Sequence, residues 1–291
     1  MRVGLIDIDS KIPNLALLKL SAWHKARGDE VELTTPVFAP IYDKAYASQV
    51  FTWTQTPCLP ENVETGGTGI DLKTTLPDEV EKMCPDYSLC NMDYSMGFLT
   101  RGCIRKCSFC FVPEKEGAIR PAADIEDFLR HKTAVLLDNN VLACDHGIEQ
   151  IEKIAWLGIK VDFNQGLDAR LIDDGIARRL AAVKWLKPIR LACDSAKMKS
   201  VIEKAVNLLR KHGATPKNYF CYMLVENDVD EAYDRAMFLD GLNIRPFAMP
   251  YRSPDGKQAP KQSRVFARWV NMVSSFKSVD WYEYKYRLQG G

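Results

Sequence analysis

The sequence predicts an α/β fold: a partial (β/α)6 TIM-like barrel preceded by a smaller, open, Rossmann-like α/β unit. Three observations predict it. From Gly97 onward, apolar strand-like runs alternate six times with amphipathic helical stretches, in units of roughly 25–36 residues. Such repetition implies parallel strands joined by right-handed crossovers, and six units leave open a barrel that eight would close. Upstream, a strand–helix–strand start occupies about 90 residues, and a chain of 291 residues is long enough for both parts.

The elements follow in order. "RVGLID" reads as a buried strand. The helical stretch from Asn14 to Arg27 carries apolar Ala16, Leu17, Leu18, Leu20 and Trp23, and Gly28 stops it. "DEVELTTP" and "AYASQVFTW" supply the next two strands. "GGTG", Gly66 to Gly69, lacks the strand-to-helix context of a phosphate cradle and reads as a turn. The six later strands begin near Phe98, Ala134, Val161, Ile189, Tyr219 and Arg245. The helices between them are "DIEDFLRHK" with Asp124 as N-cap, "GIEQIEKIAWLG" ending at Gly158, "GIARRLAAVKWL", and "VIEKAVNLLRKHG" ending at Gly213. After about Pro254 the rhythm breaks into "PDGKQAPKQ", and a last aromatic-rich helix, "VFARWVNMVSSF", leads to the tail. The expected division is therefore 1–94, 95–255 and 256–291.

Composition narrows the function classes. The chain is 46% hydrophobic and 26% charged, as ordinary globular proteins are. Its net charge of +1 gives no global field for nucleic acid. The N-terminus lacks the basic start and apolar core of a secretory signal, and no run reaches the ~18 apolar residues of a membrane span. A cytoplasmic location without membrane contact is expected, and there nine cysteines point to metal binding or catalysis rather than to disulfides.

Three of the nine stand out. In "RGCIRKCSFCFVP", Cys103, Cys107 and Cys110 are spaced four and three apart, directly after the first of the six strands. In parallel α/β folds chemistry collects at the carboxyl ends of strands. Thiolates are soft ligands, suited to zinc, copper(I) or an iron–sulfur cluster. A closed zinc site needs a fourth ligand, and Cys144, His131 and His146 lack finger or ribbon spacing. A cubane cluster takes four ligands, so three thiolates leave one iron for a ligand from outside the protein. Cys193 and Cys221 lie in apolar strand-like runs, where cysteine acts as a small hydrophobe.

The CxxxCxxC pattern, with Phe109 just before its third cysteine, resembles the signature of the radical S-adenosylmethionine (SAM) superfamily. "GFLTRGCIRKCSFCFVPEKEG" is similar to members that carry an upstream cobalamin-binding-type α/β domain, and to methylthiotransferases. "LLDNN" and "FNQGLDARL" resemble the segments that such members place at their second and third strands. The resemblance implies a radical SAM partial barrel with Cys103, Cys107 and Cys110 ligating a [4Fe-4S] cluster. It implies that one electron from this cluster cleaves SAM to methionine and a 5′-deoxyadenosyl radical, which abstracts hydrogen from a substrate.

It also implies SAM contacts at Phe109, at Asp138, Asn139 and Asn140 after the second strand, and at Gln165 and Arg170 after the third. Arginine suits a carboxylate because its planar fork binds both oxygens. Asp194 and Ser195 end the fourth strand on the same face; Tyr222, Tyr251 and Arg252 are candidates for the substrate side. Each has a plainer reading: turn residues for the Asp-Asn-Asn run, a solvated arginine for Arg170, helix caps for Asp194 and Ser195. No DxHxxG sequence is present to supply a cobalamin axial histidine, so cobalamin is not expected. The spacing of Cys58, Cys84 and Cys90 does not suggest a second cluster. The expected partners are an unidentified substrate and an electron donor such as flavodoxin or ferredoxin. Two rivals remain: a methylthio- or methyltransferase-like member acting on RNA or protein, and a non-catalytic metal-binding module.

Overall fold

The computed structural model describes residues 1–214, 219–253 and 256–287, so part of the predicted loop after Pro254 and the end of the tail lie outside the described residues. The chain opens with β1 (Arg2–Asp7), whose central four residues are buried, as expected of a strand covered on both faces. Next comes α1 (Leu15–Lys25), capped by Asn14, whose side-chain oxygen accepts from the Leu17 amide. With β2 (Glu30–Leu33), β3 (Lys44–Ser48) and β4 (Val63–Gly66), β1 forms a wholly parallel sheet of order β2-β1-β3-β4. Of the expected turn Gly66–Gly69, Gly66 ends β4 and residues 67–69 form the turn, packed on Gln49. A Cβ on Gly67, at φ +98°, would stand 2.3 Å from the Gln49 carbonyl oxygen, so only glycine fits there.

After the short α2 (Asp78–Glu81) the second part begins with β5 (Ser95–Gly97), β6 (Thr100–Arg101), the one-turn α3 (Val112–Lys115), β7 (Arg120–Pro121) and α4 (Ile125–Phe128). There follow β8 (Thr133–Leu136), α5 (Asp145–Leu157), β9 (Lys160–Phe163), α6 (Asp174–Ala182), β10 (Lys184–Trp185), β11 (Arg190–Ala192) and α7 (Lys199–Lys211). The chain finishes with β12 (Tyr219–Val225), α8 (Val229–Gly241), β13 (Ile244–Pro250), α9 (Lys261–Asn271), α10 (Val273–Ser278) and α11 (Trp281–Arg287).

Two parallel sheets carry this part, β10-β9-β8-β5 and β11-β12-β13. The segment from Lys184 to Ala192 steps from one to the other: the Leu186 amide bonds to Val161, whereas Ile189 accepts from the Phe220 amide. None of the sheets among the described residues closes on itself. One large core lies between strands and helices; it joins Leu136, Phe163, Leu191 and Met223 to Ile154, Leu180, Ile202, Leu239 and Trp269. Burial along β12 alternates strictly, so Phe220, Tyr222 and Leu224 project from the opposite, half-open face.

Three of the differences from the sequence pattern have a visible reason. The strand expected from Phe98 ends at Gly97, because the Leu99 and Thr100 amides bond to the Asp138 carboxylate instead of a neighbouring strand. The helix expected through Leu186 stops at Ala182; the Trp185 indole donates to the Leu180 carbonyl at 3.0 Å and the chain turns into β10. The last predicted helix breaks at Met272 into α9 and α10. There Asn271 exchanges two side-chain hydrogen bonds with the Ala248 backbone, which occupies part of the edge of β13.

The N-terminal sheet is tied to the rest through residues 86 and 87. The buried Tyr87 hydroxyl donates to the Phe128 carbonyl at 2.7 Å and accepts from the Met96 amide at 3.1 Å. Asp86 accepts from Ser21 and Lys25 of α1, both at 2.7 Å. Burial raises the Asp86 carboxyl, but the bonds from Lys25, Ser88 and Ser21 outweigh it and hold it down at about 2. Because the folded value is depressed, the bond stabilises the fold above the ordinary value of 3.8 and is lost as pH falls through about 2. Asp86→Asn should therefore cost about 1 kcal/mol at pH 7 by urea denaturation, allowing for solvent screening, with the difference vanishing below about pH 2.

Candidate functional site

The loop from Arg101 to Ala118 leaves the carboxyl end of β5 and returns as β7, which pairs antiparallel with β6. Its shape is dictated by glycine. Gly102 has φ +82°, and a Cβ there would stand 2.3 Å from the Ala118 carbonyl oxygen, so the two ends of the loop touch backbone to backbone. Gly117, at φ +74°, has open space around it, and its carbonyl accepts from the Cys103 amide at 3.3 Å.

Two carboxylates hold the base of the loop. Asp138, at the end of β8 and 3% exposed, accepts from the Leu99 amide at 3.1 and 3.2 Å and from the Thr100 amide and hydroxyl at 2.5 and 2.7 Å. Burial pushes its carboxyl up, to about 6, against those hydrogen bonds, which favour the ionised form. Glu116 accepts from the Gly102 amide and the Asn139 side chain, both at 2.9 Å, and from Arg101 at 2.8 Å. Arg101 reaches on to Glu81 at 3.0 Å, which Lys19 of α1 also meets at 2.9 Å. The N-terminal segment thus braces the cysteine loop.

The three cysteines are free thiols. Cys103 Sγ accepts from the Arg105 amide at 3.3 Å and from the Asn140 side chain at 3.4 Å. The Cys110 amide donates to the Cys107 carbonyl at 3.0 Å, a turn that brings these two round together. Burial pushes both their thiols up; the Arg170 charge opposes this at Cys107, and the Val112 amide opposes it at Cys110. Among the described residues no three His, Cys, Asp or Glu side chains are gathered as a metal-holding group. The fit to a metal therefore rests on donor chemistry and loop placement: three soft, uncrosslinked thiols on one short loop, with hydrogen bonds to sulfur of the kind that tune cluster potentials. The buried Asn140 Oδ1 beside them has no hydrogen-bond partner among the described residues.

The other expected residues fall into two groups. Asp138 and Asn139 spend their side chains on the loop base, while Asn140, 3% exposed, lies against Cys103. Arg170 gives Nε and Nη2 to Asp168, at 2.6 and 3.1 Å, and lies near Cys103 and Cys107. Asp194 accepts from the Leu224 amide at 3.0 Å; burial raises its carboxyl against that bond and the charges of Arg235 and Arg170. Phe109, Gln165 and Ser195 are exposed, the last two without a side-chain hydrogen bond among the described residues. Tyr222 donates to the Asn164 carbonyl at 3.0 Å. Arg252 lies 4.3 Å over the Trp53 ring, which stacks on Phe51. Tyr251 continues the ladder, its amide donating to Val225.

Sequence reasoning missed Asp168, Arg105 and Glu116. Asp168 and Arg105 lie within segments the sequence had already marked, but nothing in one chain pairs residues 63 positions apart. His24 is 1% exposed and meets Asp29 at 2.7 Å and Tyr46 at 3.1 Å. Cys84 and Cys90 pack beside Leu18, Tyr87 and Met96, while Cys58 is exposed. No helix among the described residues is long and apolar enough to cross a membrane.

No protein-family model and no curated protein matches the chain. Among solved structures it is similar to the cobalamin-dependent S-adenosylmethionine radical enzyme OxsB, determined with aqua-cobalamin and S-adenosylmethionine bound. The TM-score is 0.55 at 13% identity, over 95% of this chain and 55% of that one. The chain thus spans about half the length of that enzyme, and the likeness is one of fold.

The loop geometry makes a paired prediction. Gly102→Ala combines a left-handed backbone with a backbone clash and should cost about 2–4 kcal/mol in chemical denaturation. Gly117→Ala meets only the backbone penalty and should cost about 1–2 kcal/mol.

Proposed function

We propose that the chain is a radical SAM enzyme built on a six-unit partial barrel, residues 95–255, with a smaller α/β unit, 1–94, packed beside it and a helical tail, 256–291. One observation carries this reading. Three free thiols, with no fourth protein donor of suitable spacing, sit on the loop that leaves the first strand of a parallel array. Closed protein sites do not leave a ligand position open in this way.

Cys103, Cys107 and Cys110 would hold three irons of a [4Fe-4S] cluster, the fourth being left for SAM. When bound and reduced, that group supplies the electron that divides SAM into methionine and a 5′-deoxyadenosyl radical able to take hydrogen from the substrate. The chain's own residues do the positioning. Asp138 and Glu116 fix the loop base. Asn140 lies against Cys103 with an unpartnered oxygen free to accept from the amino group of SAM. Arg170 retains a terminal nitrogen for a carboxylate, and Phe109 and Gln165 are free to meet the adenosyl part. Asp194 and Ser195, at the end of β11, extend the same face. Phe220, Tyr222 and Leu224 line the half-open face, where an apolar wall would keep water and other hydrogen donors from the substrate. Free thiols and an oxygen-sensitive cluster suit the reducing cytoplasm, with flavodoxin or ferredoxin as electron donor. The substrate is unidentified.

The deciding experiment is anoxic reconstitution with iron and sulfide followed by SAM and dithionite. Uptake of about four irons per chain and release of 5′-deoxyadenosine are expected, and Cys107→Ala should abolish the latter. A chain that takes up zinc, or iron without releasing 5′-deoxyadenosine, is a binding module instead. A second cluster, with about eight irons, would favour the methylthiotransferase-like rival.

A further inference from the structure

Asp168 gathers five hydrogen-bond donors on one carboxylate, with a side chain only 6% exposed. Its Oδ1 accepts from the Arg170 amide at 3.1 Å and from Arg170 Nε at 2.6 Å. Its Oδ2 accepts from Arg105 Nε at 2.8 Å, Arg170 Nη2 at 3.1 Å and Asn140 Nδ2 at 3.4 Å. The residue caps the short 3-10 turn Ala169–Leu171, and a cap needs only the bond from the Arg170 amide. The surplus donors come from three places: the cysteine loop, the end of β8 and the turn itself.

Two of those donors lead to the same sulfur. Arg105 lies between the first two cysteines, and while Asp168 holds its guanidinium, its own amide donates to Cys103 Sγ at 3.3 Å. Asn140 spans the other route, donating to Cys103 Sγ and to Asp168, both at 3.4 Å. We infer that Asp168 is a positioning residue, which fixes the Cys103 thiol through Arg105 and Asn140 before any metal arrives. This deepens the reading of Cys103 as a cluster ligand and rests on it. Charge-assisted hydrogen bonds to an ionised carboxylate are the strong ones, and this one is largely withdrawn from water. Preordering the first ligand lowers the entropy lost when the other two close on iron.

The test needs neither iron nor SAM. The full chain, freed of metal and kept reduced, is labelled with iodoacetamide, and each cysteine is followed by peptide mass mapping. Asp168→Asn keeps an N-cap but loses the charged clamp; Arg105→Gln removes one arm from the opposite side. Each should raise the labelling rate of Cys103 about five- to tenfold, with the double variant no faster than Asp168→Asn alone. Asp168→Glu should return the rate to within about twofold of the parent, and exposed Cys58 should not change in any variant. An unchanged Cys103 rate in Asp168→Asn and Arg105→Gln, or additive effects in the double variant, overturns the inference. If Asp168→Asn also exposes buried Cys221, it has lost the fold, and Arg105→Gln alone decides by the same criterion. Absence of 5′-deoxyadenosine from the parent would sink the proposed activity yet leave this labelling result intact, so the two failures are distinguishable.

Discussion

A carboxylate withdrawn from water at the end of β8 sets the entry of the cysteine loop. Asp138 accepts four hydrogen bonds from Leu99 and Thr100, and in doing so ends β5 at Gly97, whose carbonyl still accepts from the Leu137 amide. A buried carboxylate is costly unless every acceptor is used, so this arrangement tolerates little displacement. The strand can neither continue nor wander, and the chain must leave the sheet as a loop.

The loop is then closed by a second carboxylate and opened by glycine. Glu116 draws Gly102, Arg101 and Asn139 onto one side chain, and Gly102 allows the backbone approach that a Cβ would block. Through Arg101 and Glu81 the brace reaches Lys19 of the N-terminal helix. The N-terminal sheet is therefore more than an appendage. Its α1 and the segment at residues 86–87 pack against β5 and carry part of the frame that presents the thiols.

The parallel sheets account for where the thiols stand. Outward-facing residues of β8, β9, β11, β12 and β13 pack with the helices in one core, which leaves the alternate residues of β12 and β13 on the other face, only half covered. Phe220, Tyr222 and Phe247 lie there with ring centroids 5.1 to 6.1 Å apart. This face is aromatic and only partly covered. The same two-residue period that builds the core builds this wall.

The sequence by itself determined the order of the six later strands and of four helices between them, the helix ends marked by Gly28 and Gly158, and the spacing of Cys103, Cys107 and Cys110, because periodicity, caps and glycine act over a few residues. It did not determine that β5 would end at Gly97 or that the 174–185 segment would split into helix and strand. Those outcomes depend on Asp138 and on Leu180 meeting partners from elsewhere or from the next turn. Nor could it pair Arg105 with Asp168, Glu116 with Asn139, or Arg101 with Glu81. A charged residue on a loop looks the same in sequence whether water or a buried counter-ion receives it. Only the tertiary structure decides which, since the difference lies in the dielectric and donors around it and not in the residue.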